Sequence, residues 1–172
     1  MRFNRRLPAS AIAGVALLSL SASVFAHDDL EARLRPFTEV PSVSSTASGH
    51  FKAEVDQRAN SISYQLSYSG LQGEVRQAHI HLGQKAVNGG IMVFLCQTSV
   101  NPDPTGLAPM CPQSGTVHGV IQAANIIGPA LQGIDPMEFA EVIAAIRGGV
   151  AYVNVHSSKF TGGEIRGQLR DD

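Results

Sequence analysis

The chain has no C-x-x-C pair, no G-x-S-x-G elbow, no Lys/Arg stripe and, beyond its first 26 residues, no stretch that resembles a membrane span. Each absence removes a class of function. Without paired thiols at redox spacing, thiol catalysis is the weaker use of the 2 cysteines. Ser157 and Ser158 follow His156 too closely to form a hydrolase nucleophile elbow. A chain with no basic arm offers no electrostatic footprint for nucleic acid, so no nucleic-acid partner is expected. No internal repeat supports a solenoid.

Residues 1–26 read as a signal peptide: Arg2, Arg5 and Arg6 form a basic start, 12–20 is apolar, and Val24-Phe25-Ala26 offers a cleavage site before His27. The apolar run is too short for a stable span. No cysteine follows the cleavage site, which argues against a lipid anchor, and Arg5-Arg6 gives only thin support for a twin-arginine route. The expected mature chain, 27–172, is a single domain of about 146 residues, secreted or periplasmic, without a transmembrane segment. Of the chain's 13 Lys and Arg, three fall in the leader, leaving 10 against 14 acids and a net charge of -4. His27 at a new N-terminus would pair an amine with an imidazole, a weak copper-chelating arrangement.

Cys96 and Cys111 both lie in the exported part, where an oxidising compartment favours a disulfide. The bridge would close loop 97–110, with its Pro102, Pro104, Gly106 and Pro109, and contribute roughly 3 kcal/mol by restricting the unfolded chain.

Alternation with period two marks the strands. Phe51, Ala53 and Val55 alternate with Lys52, Glu54 and Asp56; Ile62, Tyr64, Leu66 and Tyr68 repeat the pattern, with Ala59-Asn60 as a hairpin turn between. Tyr64 and Tyr68 read as sheet packing rather than as a carbohydrate platform. In 75–82, Ala78, Ile80 and Leu82 oppose His79 and His81. The nearly continuous apolar run 91–96 predicts a central strand covered on both sides. The short strand 115–121 has no clear orientation. Asp135, Pro136 and Glu138 predict a capped helix with a stripe of Phe139, Val142, Ile143 and Ile146, ended by Gly148-Gly149. Two more strands follow: 152–156, with Tyr152, Asn154 and His156 on one face, and 164–169, with Glu164, Arg166 and Gln168 on one face. The fold class is all-β, an antiparallel β-sandwich with one short helix before the C-terminal strands.

The H-x-H pair places two imidazoles on one face of a strand, about 6.5–7 Å apart at the backbone. If the 152–156 strand lies alongside, His156 completes a three-nitrogen set, with Glu164 or His118 as a fourth group, and imidazoles suit copper or zinc. The competing use of the same residues is a structural polar cluster, in which Asn154, Glu164 and Arg166 hydrogen-bond with the histidines and fix two strands.

The motifs AHIHLG at 78–83, GTVHGVI at 115–121, GPALQG at 128–133 and IRGGVAYVNVHSSKFTGGEIRGQL at 146–169 resemble the CHRD family, over roughly 34–169. This is the domain repeated in chordin and found singly in exported bacterial proteins, and the chain is similar to that single-domain bacterial type. The resemblance implies an extracellular β-rich domain and carries over no enzymatic activity. The cysteine-rich binding repeats of chordin are absent, which argues against growth-factor antagonism. His79, His81, Asn154, His156, Glu164 and Arg166 match motif positions. The expected function is a structural or binding module for an unknown extracytoplasmic protein or small ligand; the alternative is a copper- or zinc-binding envelope protein.

Overall fold

Alternating side chains build a sheet that is dry on one face. In the computed structural model, which describes Met1 and residues 28–171, β2 (Ser48–Asp56) buries Phe51, Ala53 and Val55 and exposes Lys52, Glu54 and Asp56. Residues 2–27, which hold the rest of the expected leader and His27, lie outside the described residues. β3 (Ser61–Ser69) pairs antiparallel with β2, with Phe51 opposite Leu66, and the turn between them is held by the Asp56 carboxylate, which accepts from the backbone N–H groups of Arg58 and Ala59. Asn60 takes the left-handed conformation there, at φ 47°, which Asn tolerates better than most residues.

β1 (Asp28–Leu34) adds a strand ahead of those marked by alternation in the sequence. Leu30, Ala32 and Leu34 alternate inward, and every residue from Asp28 to Leu34 is paired with β2. With β4 (Val75–Leu82), β5 (Ile91–Cys96), β6 (Gly115–Ile121), β7 (Ala151–Ser157), β8 (Ile165–Gln168) and β9 (Arg170–Asp171), the strands form two antiparallel sheets. One is ordered β6-β3-β2-β1-β9 and the other β5-β4-β7-β8. Their inner faces share the core, including Phe51, Ile62 and Leu66 from the first sheet and Ile80, Val153, Val155 and Ile165 from the second. The fold is an antiparallel β-sandwich with one short helix before the C-terminal strands, as expected.

Tyr64 and Tyr68 tie the layers together. Tyr64 Oη donates to the Leu95 carbonyl at 2.6 Å, and Tyr68 Oη donates to the Pro112 carbonyl at 2.5 Å. Gly119 on β6 lies against the Tyr64 ring so closely that a Cβ would collide with it. The Cys96–Cys111 disulfide closes loop 97–110. Asp103 organises that loop, accepting from the backbone N–H groups of Thr105, Leu107 and Ala108 and from the Thr105 hydroxyl.

Two expectations need correction. The 91–96 strand, β5, is at the edge of its sheet and not in the centre. Its apolar run reflects cover from another source: the passing segment bridges Val93 to Ile126 and donates Ile127 N–H to Met92 O at 3.0 Å. The helix, α1 (Phe139–Arg147), begins later than Asp135 and Pro136 suggested, because Met137 is left-handed at φ 72° and interrupts a continuous helix. Glu138 still reaches back, its carboxylate accepting from Asp135 N–H at 2.8 Å, so the capping contact exists on a turn ahead of the helix. Phe139, Val142, Ala145 and Ile146 form its buried stripe.

Candidate metal centre

β4 and β7 are the central strands of the four-stranded sheet and neighbours in it, with His79 opposite Asn154 and Gln77 opposite His156. This register brings His79, His81 and His156 together on the face away from the sandwich core. One nitrogen from each of the three rings lies within 4.8 Å of the others. His79 Nδ1 is 3.2 Å from His156 Nε2, and Asn154 Oδ1 is 3.0 Å from that same His156 nitrogen.

The outer face of this sheet is not wet. Every residue of β7 is buried, and His79, His81 and His156 are 0%, 7% and 6% exposed. Loop 83–90 covers one side of the face and is fastened at several points. Arg166 donates to the carbonyls of Gln84 and Val87 and to the Asn88 side chain, Gln168 donates to the Gly83 carbonyl, and Gly89 N–H donates to Tyr152 Oη. The turn after β7 covers another side, through Thr161. The rings themselves interlock: His79 meets Phe94 edge-on at 4.3 Å, and His81 stacks on Tyr152 at 4.8 Å. The Arg166 guanidinium lies 3.3 Å over the Tyr152 ring.

Backbone carbonyls fix two tautomers. His81 Nδ1 lies 2.9 Å from Gly89 O, and His156 Nδ1 lies 2.9 Å from Thr161 O. A carbonyl can only accept, so each Nδ1 carries the proton; His81 Nε2 is then left with a lone pair, while His156 Nε2 faces both His79 Nδ1 and the Asn154 side-chain amide. An Nδ1 proton held by a carbonyl is the outer-shell arrangement that orients ligating histidines. Burial holds all three rings neutral: His79 well below the ordinary imidazole range, with the neighbouring imidazoles adding to the effect; His81 down to about 4, partly opposed by its bond to Gly89; and His156 below its usual value, partly opposed by Thr161. Neutral imidazole is the ligating form. His79 Nε2 and His81 Nε2 are buried without any hydrogen-bond partner.

The other residues singled out from sequence diverge. His118 lies on β6 in the opposite sheet, beside Gln65, and is exposed. Glu164 is fully buried but outside the nitrogen set; its Oε1 accepts from Gln72 N–H at 2.9 Å. Asn154 reaches the histidines, whereas Arg166 bonds the covering loop. The residue that sequence reasoning missed is Glu39, 4% exposed, in the segment after β1. Desolvation pushes its carboxyl up to about 7, against the opposing pull of Val40 N–H, Arg166 and Asn154. One of its oxygens has no partner, and a Cβ at Gly163 would collide with it. Its only sequence signal is an acid flanked at short range by Pro36 and Pro41, which no periodicity reveals.

The CHRD domain family model matches residues 30–169. Comparison with curated proteins and with solved structures finds no match. The family match spans the strands that carry the three imidazoles and nearly the whole of both sheets, so the chain belongs to the CHRD domain family.

Proposed function

We propose that this CHRD protein is an exported metal-binding module that holds one zinc or copper ion on His79, His81 and His156. The observation that carries the reading is the pair of orphaned nitrogens, His79 Nε2 and His81 Nε2, buried beside a third imidazole. A purely structural polar cluster would pair its buried nitrogens, since leaving each unmet costs about 1–3 kcal/mol. A tetrahedral zinc with Zn–N distances of about 2.0–2.1 Å needs its ligand nitrogens roughly 3.3–3.4 Å apart. One nitrogen of each ring lies within 4.8 Å of the others, so the set would have to draw in by up to about 1.4 Å around the ion. Soft thiolates play no part, because both cysteines are in the disulfide.

Burial favours a holding role over turnover, because the cluster presents no open face to a substrate. Export, to the periplasm or outside the cell, is supported by the basic and apolar start of the sequence and by the disulfide, which persists in oxidising compartments. A module of this kind serves an extracytoplasmic partner by keeping two strands and their covering loops in one arrangement.

The test is elemental analysis of the full chain, expressed with its leader and isolated without a histidine tag. About one zinc or copper per chain is expected, and His81→Ala should lose it. Absence of metal from the isolated protein, together with no binding tighter than micromolar on reconstitution, would sink the reading.

A further inference from the structure

Glu39 and Arg166 also belong to the wall of a separate feature, a cavity of about 740 Å³ between β1, β8, β9 and the loops beside them. Its volume lies within the roughly 300–1,000 Å³ typical of small-ligand sites. Arg33, Arg35, Lys85 and Arg170 line it and are exposed, with Arg166 buried behind them. These are five of the 10 Lys and Arg in residues 27–172, in a segment whose net charge is negative. Among the described residues none of the four exposed cations is in an ion pair.

The two acids in the lining do little to offset them. Glu31 is already engaged by Lys52 at 3.2 Å and His50 at 3.5 Å, and Glu39 is buried in a setting that favours its neutral form. Clustered, unpartnered cations repel one another, and a cleft of one sign focuses its field on an incoming anion. Arginine forks match carboxylate and sulfate oxygens in pairs. Phe37, also in the lining, is 71% exposed and offers a flat apolar face.

We propose that this cleft binds an acidic oligosaccharide, with its carboxylate or sulfate groups on Arg33, Arg35, Lys85 and Arg170 and a sugar ring against Phe37. The site shares no imidazole with the metal cluster, so the two readings stand or fall separately.

The experiment is calorimetric titration of the full chain with hexagalacturonate, with a chondroitin-4-sulfate hexasaccharide and with neutral maltohexaose. At least one acidic sugar should bind with a Kd below about 100 μM at low salt, and its identity separates carboxylate from sulfate recognition; maltohexaose should not bind. Raising the salt should weaken binding. The double variant Arg33→Glu/Arg35→Glu, both exposed and expected to melt like the parent, should weaken it at least about tenfold, while metal-free His81→Ala should still bind. Failure of both acidic sugars, equal binding of maltohexaose, or affinity unchanged by the charge reversal would overturn the proposal.

Discussion

The two sheets of the sandwich have unlike outer faces. On the five-stranded sheet, β2 alternates buried and exposed residues as a half-wet strand should, and its histidines lie on the outer face, His118 on β6 exposed and His50 on β2 half-buried beside Glu31. On the four-stranded sheet, β7 is buried along its whole length, and the outward histidines are enclosed by loop 83–90 and the turn through Thr161. The same residue type on the same kind of strand therefore meets two environments. Period two decides which side a residue takes; the loops decide whether that side is wet.

The largest expected effect comes from removing one ring from the covered face. His79→Ala takes out a fully buried side chain packed on Phe94 and leaves His156 without its neighbour. A loss of about 3 kcal/mol is expected for the metal-free protein, from the void plus the unmet polar group. His118→Ala, on the open face, should stay within about 0.5 kcal/mol of the parent. Urea unfolding in the presence of a chelator reads both. Matching midpoints for the two variants would erase the distinction between the faces.

Acid should reveal the same contrast. His79, His81 and His156 all have folded values below the unfolded imidazole value of 6.5. The unfolded chain therefore binds more protons, so their contribution is fully present above about pH 6.5 and is lost as pH falls through the folded values, which for His81 means toward about 4. For His81 alone this amounts to on the order of 3 kcal/mol. Glu39 acts in the opposite sense: pushed up to about 7, it takes up its proton more readily when folded, and so it offsets part of the loss between pH 7 and 4.5. Glu39→Gln removes that compensation. The metal-free variant should be more stable than the parent at pH 8, by on the order of 2–3 kcal/mol, with the advantage shrinking toward pH 5. A pH-independent difference between the two proteins would show that Glu39 does not titrate as its burial requires.

Much of this was legible in the sequence, for a physical reason. The alternations in 51–55 and 62–68 are one-dimensional records of a dry and a wet side, that in 75–82 of an inner and an outer face, and each segment is a strand in the expected orientation. The H-x-H spacing placed His79 and His81 on one face, and the pairing of β4 with β7 brought His156 to them. What escaped depends on contacts between segments remote in sequence. The continuous apolar run of β5 records burial but not position in the sheet, since cover by 126–127 leaves the same pattern as a neighbouring strand. The helix start escaped because the capping contact is local, whereas the left-handed Met137 that delays the helix has no residue preference to announce it. Glu39 escaped because its burial is imposed by Asn154, Gly163 and Arg166, each more than 100 residues away.

The smallest expected effect concerns how the cover is fastened. Tyr152 has two roles that one substitution can separate: its ring lies between His81 and Arg166, and its hydroxyl accepts from Gly89 N–H at 3.2 Å. Gly89 is also the residue whose carbonyl sets the His81 tautomer. Tyr152→Phe keeps the stack and removes the acceptor, so the loss should be about 1 kcal/mol, and it should be local. Amide exchange in residues 84–90 should quicken while that of β2 and β3 stays as in the parent. If loop exchange is unchanged, the loop is held by Arg166 at the Val87 carbonyl and by Gln132 at Gly90 N–H without help from the tyrosine, and the enclosure of the histidines rests on the guanidinium and not on the hydroxyl beside it.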